Sequence, residues 1–370
     1  MIKKFIVMFG VIALIFVIGF NILNANSDTE HQPITEELIR ILEVKPELKV
    51  ALEESIRKAN RLDTPTLDAY YDFLDETVTL IPTSRNILPK ILEFYYLIDL
   101  SPGGILQKDD SFQQWTLKFA KDWGKFLDTT ESAKGLETFY TDPDYHIDDY
   151  MVAPSGWLTY NQFFARHVKP GKRPIDGLCD DSIIVSPADS VFHGHWKIDK
   201  NSEIAVKGLK WSVSKLLEGS PFKDRFRGGT YMHAFLNVND YHRYHVPVGG
   251  KVLEARKIPG KVVLDVIRKE DGSLDVIDGD TYQFSQDRGL IVIESPIGLV
   301  AVLPIGMAQV SSANISAEVG STLAKGEEFG YFLFGGSDII VIFERDIKVK
   351  ITADIGTHYN QGKKIAIVVK

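Results

Sequence analysis

The chain has 370 residues, of which 44% are hydrophobic and 25% charged, which is the composition of an ordinary globular protein. Its formal net charge of −8 and the absence of a dense basic cluster argue against a nucleic-acid partner. Cys179 is the single cysteine, which excludes an intrachain disulfide and argues against a thiolate metal site. The length predicts two domains with an ample core.

Residues 1–27 are predicted to be a leader, either a signal-anchor or a signal peptide. Residues 5–23 are almost entirely apolar, follow Lys3 and Lys4, and precede an acidic, polar stretch at 26–30. About 19 apolar residues suffice to cross a hydrocarbon core of roughly 30 Å, and this charge order predicts a signal-anchor with the body on the non-cytoplasmic side. A cleaved signal peptide ending at Ala25 is the alternative, although Leu23 is a poor small-residue match. Either interpretation takes the body across a membrane.

Residues 28–150 have a helical pattern and are predicted to form an accessory domain. Thr64 is the predicted N-cap of one helix, with Pro65 in its first turn, and Ser111 is the predicted N-cap of another. The second helix presents large aromatic residues at helical spacing, which favours a packed core over a ligand stack. These residues are Phe112, Trp115, Phe119, Trp123 and Phe126.

Residues 151–370 contain short β-branched runs separated by Gly, Pro, Asp and Asn. This pattern predicts an antiparallel sandwich or barrel. The chain as a whole is therefore predicted to be α+β, with a helical domain followed by a β-rich catalytic domain. Residues 211–217 are predicted to form a short helix among the strands. The predicted strands are 183–185, 230–236, 251–255, 290–294, 299–303, 338–343, 348–351 and 365–369.

A polar step, Gly335-Gly336-Ser337-Asp338, interrupts two apolar strands near the C-terminus. The two glycines leave the backbone before Ser337 uncrowded and tolerant of unusual dihedral angles. A serine in this setting is placed to attack its own backbone. Taken alone, however, a Gly-Gly-Ser step is typical of a tight bend or a β-bulge.

Three further segments give this step a context. They are TYNQFFAR at 159–166 followed by KPGKRP at 169–174, VSPADS at 185–190, and NDYHRYHVP at 239–247. Together with the polar step, and in the same order, they resemble the motifs of the phosphatidylserine decarboxylase family, whose members cut themselves at a serine and convert it into a pyruvoyl group. The accessory region resembles, more loosely, that of a branch that includes fungal tryptophan decarboxylases.

The resemblance implies specific roles. Self-cleavage is expected between Gly336 and Ser337, with His245 as the base and Asp189 as the carboxylate that orients it. His242 is expected to take part in substrate binding or in protonation of the decarboxylated carbon. On a strand, His242 and His245 would face opposite sides, whereas in a turn both would reach one site.

Decarboxylation of an amine needs an electron sink, which enzymes usually obtain from pyridoxal phosphate. The sequence has no convincing phosphate-binding loop ahead of a helix, so a pyruvoyl carbonyl made from the chain, forming an imine with the amine, fits better. Attack of the Ser337 hydroxyl on the Gly336 carbonyl gives an ester. β-Elimination breaks it, and the resulting dehydroalanine hydrolyses to pyruvoyl and ammonia. The downstream chain would then hold 34 residues, 337–370.

Two positions depart from the family pattern. Asp338 stands where threonine is common, and Ser311 stands where a second glycine is expected. Asp338 and Tyr241 are candidate contacts for the substrate. Three other histidines, His193, His195 and His233, lack metal-ligand spacing and are predicted to have core or surface roles, and the mechanism requires no metal.

The sequence therefore predicts a membrane-anchored or exported pyruvoyl-dependent decarboxylase. The leading substrate is phosphatidylserine, giving phosphatidylethanolamine and CO2, and the alternative is a free aromatic amino acid such as tryptophan. The predicted partners are that substrate, a membrane, the two chains made by self-cleavage and a second copy of the chain. Two other classes stay open. They are a serine hydrolase that uses Ser337, His245 and Asp189, and a non-enzymatic lipid-binding protein.

Overall fold

The computed structural model describes residues 31–206, 209–276, 284–306, 312–334 and 337–369. The predicted leader, Ser311 and Gly336 lie outside these residues. Within the described ranges, no helix combines the length and the apolar character needed to cross a bilayer.

The first third of the described chain is helical, as predicted. Prolines open the first two helices, where a missing backbone N–H costs nothing. Short 3-10 turns at Pro102–Gly104, Thr130–Gly135, Pro143–Tyr145, Ile147–Asp149 and Lys223–Phe226 join or follow the α-helices. The α-helices are α1 Pro33–Val44, α2 Pro46–Ala59, α3 Leu67–Val78, α4 Ile87–Asp99, α5 Ile105–Lys108, α6 Asp110–Leu127, α7 Glu137–Tyr140, α8 Tyr160–Phe164 and α9 Val213–Leu216.

Both predicted N-caps are displaced by two residues. α3 is capped by Thr66, whose hydroxyl accepts a hydrogen bond from Ala69 N at 3.2 Å, and not by Thr64. α6 is capped by Asp109, whose carboxylate accepts from the amides of Ser111 and Phe112. The cap must directly precede the first helical residue, so that its oxygen reaches the free amides of the first turn.

The aromatic stripe of α6 packs inward, as predicted. Phe112, Trp115, Phe119 and Trp123 are buried, whereas Phe126 is only partly covered. Phe119 and Trp115 contact Phe94 of α4, with ring centroids 5.2 and 6.3 Å apart. The stripe is therefore part of the hydrophobic core under the helices.

The rest of the chain is rich in strands, and all eight predicted strands are present with ends that differ by at most three residues. The helix predicted at 211–217 is wrong in its first part, because residues 211 and 212 belong to a strand and only α9 is helical. The strands are β1 Ile183–Val185, β2 Ser190–Lys197, β3 Glu203–Val206, β4 Leu209–Ser212, β5 Thr230–Leu236, β6 Arg243–His245, β7 Gly250–Ile258, β8 Val266–Arg268, β9 Leu274–Val276, β10 Arg288–Ser295, β11 Gly298–Gly306, β12 Ala313–Ile315, β13 Thr322–Leu323, β14 Glu328–Phe332, β15 Ser337–Phe343, β16 Val349–Ile351, β17 His358–Tyr359 and β18 Lys364–Val368.

An eight-stranded sheet in the order β13-β7-β10-β11-β15-β5-β2-β17 forms the centre, and every pairing in it is antiparallel. Smaller sheets, β1-β18-β16 and β12-β14-β6, and two hairpins, β3-β4 and β8-β9, complete the described strands. The predicted α+β class and the antiparallel β-rich region are confirmed. The domain boundary at residue 150 stays a prediction.

The central sheet has apolar packing on both faces. Along β15, Ile339 and Val341 belong to the core cluster that also contains the helical domain, whereas Ile340 and Ile342 belong to a second cluster on the opposite face. This alternation is the period of two that a strand imposes. Strand β15 is therefore covered on both sides.

Asp99, at the end of α4, joins the helical domain to the β8-β9 hairpin. Its carboxylate accepts a hydrogen bond from Val266 N at 2.9 Å and another from the Gln107 side chain. Burial raises the pKa of Asp99 to about 8, with a smaller contribution from Asp265, although the two hydrogen bonds act in the opposite direction. The folded protein therefore favours the protonated carboxyl.

This raised pKa predicts a pH-dependent stability. The pKa of Asp99 is higher in the folded protein than its unfolded value of about 4. The stability that the protonated Asp99 contributes is therefore fully present below pH 4 and is lost as the pH rises towards 8. We expect Asp99→Asn to flatten this part of the pH dependence of the unfolding free energy. Urea unfolding between pH 4.5 and 8.5 measures it, with Asp63→Asn at an exposed position as the control. Equal slopes in wild type and Asp99→Asn would contradict the assignment.

Candidate active site

Ser337 begins the middle strand of the central sheet. Its backbone lies in register with Gly306 of β11 on one side and Leu236 of β5 on the other. Phe334, the last described residue before it, has a φ of 46°, a left-handed conformation that is unusual for a bulky residue. The chain thus enters the central strand from a strained backbone position, across the two glycines 335 and 336.

The histidine segment, residues 239–247 with His242 and His245, pairs with β14, the strand that precedes Ser337. In the β6-β14 ladder His245 lies opposite Glu328, and the carbonyl of His242 accepts a hydrogen bond from Phe332 N at 2.9 Å. A Cβ at Gly330 would approach the Tyr244 ring to 2.4 Å, so glycine is what allows this close pairing. Backbone hydrogen bonds therefore join the two motifs in the same small sheet.

His245 is buried, and burial lowers its pKa to about 4, against the opposing effects of the Gly326 carbonyl and the Asp189 charge. Its Nδ1 lies 2.8 Å from the Gly326 oxygen, and its Nε2 lies 3.2 Å from the Tyr241 hydroxyl. A carbonyl can only accept, so Nδ1 carries the proton and Nε2 is the basic atom. The ring is a neutral base at physiological pH, with Tyr241 donating to it.

Asp189 has partners different from the one predicted. Its carboxylate accepts from the Arg173 guanidinium at 2.6 to 2.9 Å and from Gln361 N at 2.7 Å. No hydrogen bond to His245 is among these contacts, since the buried carboxylate pairs with the guanidinium that neutralises it and Gly326 O accepts from His245 Nδ1, so the orienting role of Asp189 stays a prediction. The charge of Asp189 raises the pKa of the His245 ring.

His242 is fully buried and stacks on Phe164, with ring centroids 3.9 Å apart. Neither ring nitrogen makes a hydrogen bond of ordinary geometry within the described part of the chain. Burial and the nearby Arg166 hold the pKa of His242 well below its usual range. The backbone of Asp240 and Asn237 lies close to the ring and acts on this pKa in the opposite direction, so the nearest polar groups are main-chain atoms rather than side chains.

Asp338 is fully buried and pairs with His233 Nε2 at 2.5 Å. It alternates along β15 with Ile339, so it lies on the sheet face of Ile340 and the second core cluster. Asp338 therefore has a protein partner, His233, and its contact with the substrate stays a prediction. Among the described residues, no group of three or more potential ligands is arranged to hold a metal ion.

Two residues join the candidate site through tertiary contacts. His233 is buried, as a core role predicts, and the antiparallel pairing of β5 with β15 makes it the partner of Asp338. Arg173, which the sequence presents only as part of a motif, is the cation that neutralises Asp189. Charge balance was the available signal for Arg173, since a buried carboxylate needs a cation. No local signal marks His233.

An open groove of about 670 Å³ lies beside this site. Leu333 and Tyr331, just upstream of the polar step, line it together with Arg243, whose guanidinium lies 4.9 Å from the centre of the Tyr331 ring. Met151 and Val152 form an apolar part of the lining and are 47% and 48% exposed. The groove thus joins an exposed apolar surface to a cationic side chain near the histidine segment.

Two buried histidines, His242 and His245, lie in a segment that pairs with the strand before the Gly-Gly-Ser step. Buried histidines with lowered pKa values are typical of an enzyme active site. Comparison with known proteins makes this specific. Residues 160–367 match the family model of phosphatidylserine decarboxylase. The chain belongs to the phosphatidylserine decarboxylase family, a family of carboxy-lyases, and the predicted resemblance is confirmed.

Individual relatives cover different lengths. Phosphatidylserine decarboxylase proenzyme 2 of Oryza sativa subsp. japonica is 31% identical over 260 residues, which are 69% of this chain and 40% of the rice protein. A phosphatidylserine decarboxylase proenzyme of Fusobacterium nucleatum is 30% identical over 239 residues, 64% of this chain and 77% of the relative. Decarboxylase iboD of Amanita muscaria is 27% identical over 326 residues, 76% of this chain and 92% of the relative.

Proposed function

We propose that this protein is a self-processing, pyruvoyl-dependent decarboxylase that cuts itself between Gly336 and Ser337. The observation that carries the proposal is the β6-β14 pairing, which attaches the buried histidines His242 and His245 to the chain that enters β15 at Ser337. The word proenzyme in the names of the rice and Fusobacterium relatives also supports processing.

The residues present suit a pyruvoyl group at position 337. A pyruvoyl carbonyl supplies an electron sink for the amine whose carboxylate is lost. His242 is a buried imidazole whose ring nitrogens make no hydrogen bond of ordinary geometry to a described side chain, so it can hydrogen-bond a substrate or hold the proton that replaces CO2. Its lowered pKa keeps the ring neutral, which avoids an uncompensated positive charge next to Arg166.

In self-cleavage, His245 Nε2 takes the proton of the Ser337 hydroxyl as the oxygen bonds to the Gly336 carbonyl carbon. The Gly336–Ser337 peptide bond gives way to an ester, and loss of the Ser337 α-proton then expels the Gly336 carboxylate. Hydrolysis of the dehydroalanine releases ammonia and leaves the new carbonyl. Tyr241 holds His245 Nε2 before the reaction, and the Asp189 charge stabilises the imidazolium that forms.

Phosphatidylserine is the proposed substrate, because the groove is open and carries exposed apolar side chains. Met151 and Val152 offer an apolar surface to acyl chains, whereas a free amino acid would call for a closed pocket. A free aromatic amino acid is the second candidate. The observation that favours it over a lipid is the alignment with decarboxylase iboD, whose name specifies no phospholipid and whose alignment covers most of both chains, beyond residues 160–367.

The test is CO2 release from carboxyl-labelled phosphatidylserine in vesicles and from labelled tryptophan. We expect release from the lipid, and Val152→Asp at the groove is expected to lower activity on vesicles about tenfold because a charge disfavours contact with acyl chains. Val319→Asp, the same change at a valine that is 63% exposed elsewhere, is the control. Release from tryptophan alone would select the second candidate, and release from neither would favour a binding protein.

The proposed location is the non-cytoplasmic side of a membrane, with residues 5–23 as the anchor or as part of a cleaved signal. The positive residues before this segment and the acidic residues after it support that orientation. Protease accessibility of the body in spheroplasts or sealed membrane vesicles would test it. Protection from protease added on the outer side would overturn the assignment.

A further inference from the structure

Trp123, on the buried face of α6, contacts Phe334 across the helical and β-rich parts of the chain. The two ring centroids lie 4.7 Å apart, and the ring planes are inclined by 56°. Both side chains are buried, with exposed fractions of 0% and 3%. Phe334 is separated from Ser337 only by the two glycines, so a helix of the accessory region reaches the immediate neighbourhood of the proposed cleavage bond.

The conformation of Phe334 requires support from its surroundings. Its φ of 46° lies in the left-handed region, which a bulky side chain adopts only where neighbouring structure imposes it. Three rings surround Phe334, those of Trp123, Tyr160 and Phe164, at centroid distances of 4.7, 5.9 and 6.4 Å. Trp123 is the nearest of them and comes from a different part of the fold.

The same aromatic cluster reaches the histidine segment. Phe164 contacts Phe334 on one side and stacks on His242 at 3.9 Å on the other. Asn161, in the same short helix α8, donates hydrogen bonds to Gly124 O at 3.2 Å and to Asp128 at 2.9 Å, which ties α8 to the end of α6. The accessory helix, the residue before the polar step and His242 therefore form one packed unit.

We propose that Trp123 is a positioning residue for self-cleavage, and that the accessory domain holds the cleavage segment in its reactive shape through Phe334. This inference rests on the proposed self-processing. Attack within a single chain depends on how closely the hydroxyl and the carbonyl carbon are held, and a misplacement of about 1 Å can cost about 100-fold in rate. Trp123 acts through Phe334, the residue before the two glycines that it contacts.

The test follows conversion of pulse-labelled full-length chain into two chains after cell-free synthesis. Trp123→Ala is expected to slow conversion at least about tenfold. Trp123→Phe should restore it to within about threefold, because it keeps an aromatic ring and the indole N–H has no hydrogen-bond partner within the described residues. Trp115→Ala is the matched control, since Trp115 is equally buried in α6 but packs on Phe94, Phe112 and Phe119.

A second variant distinguishes loss of the Trp123–Phe334 contact from misfolding of the chain. Phe334→Ala removes the other side of the contact, and the double variant with Trp123→Ala should cleave no more slowly than the slower single variant. Wild-type cleavage rates in both single variants would overturn the inference and leave self-processing intact. So would equal slowing by Trp115→Ala, which would indicate general loss of the helical core. A wild-type chain that never cleaves would instead contradict the proposed function itself.

Discussion

Replacement of Ser337 by alanine is expected to leave the protein as one uncut chain, whereas the wild type divides after Gly336. Alanine has no hydroxyl to bond to the Gly336 carbonyl carbon, so no ester forms and the peptide bond survives. Intact-mass spectrometry should find a fragment of 34 residues, 337–370, with a blocked N-terminus in the wild type. The same fragment should be absent from Ser337→Ala, and decarboxylation should be lost with it.

Ser321→Ala is a suitable control, because it removes a hydroxyl that only bonds Glu318 O in a turn. It should process as the wild type does. A hydrazine probe adds a second readout, since only a chain with a new carbonyl reacts. A single uncut chain in both wild type and Ser337→Ala would refute the pyruvoyl mechanism, and labelling of that chain at Ser337 by a fluorophosphonate would then favour a serine hydrolase.

Replacement of His245 by alanine is expected to slow self-cleavage by about 1,000-fold, within the range that removal of a general base produces. Since burial lowers the pKa of this ring to about 4, the base is neutral throughout the ordinary pH range. The wild-type cleavage rate should therefore be flat above about pH 5.5 and should fall tenfold per unit as the pH drops below 4. Pulse-labelled chain transferred into buffers of different pH measures this profile.

Two comparisons make this result specific. His195→Ala changes an exposed histidine on β2 and should leave the rate unchanged. Tyr241→Phe keeps the ring but removes the hydroxyl that contacts His245 Nε2. Self-cleavage should persist in this variant, and the pH at which its rate begins to fall should change only slightly. A break in the wild-type profile near pH 6.5 would show that an ordinary exposed histidine, and not His245, is the base.

The sequence determined the elements whose signals are local. The aromatic stripe of α6 and the apolar strands such as β1 and β5 follow from periodicity, because side-chain spacing of 3.6 or 2 is written directly in the order of residues. Helix starts were less certain, and Thr64 and Ser111 were wrong as caps. Several polar residues near each start can cap a helix, and only the actual backbone geometry selects Thr66 and Asp109.

The motifs that contain Asp189, His242, His245 and Ser337 also predict the members of the candidate site from the sequence. Tertiary structure decided their partners. Arg173 pairs with Asp189, and Gly326 orients His245, because buried charges take the nearest compensating group, whichever part of the chain supplies it. The pairing of His233 with Asp338 and of Trp123 with Phe334 joins residues more than 100 positions apart. Sheet register and domain packing create such contacts, and no local pattern encodes them.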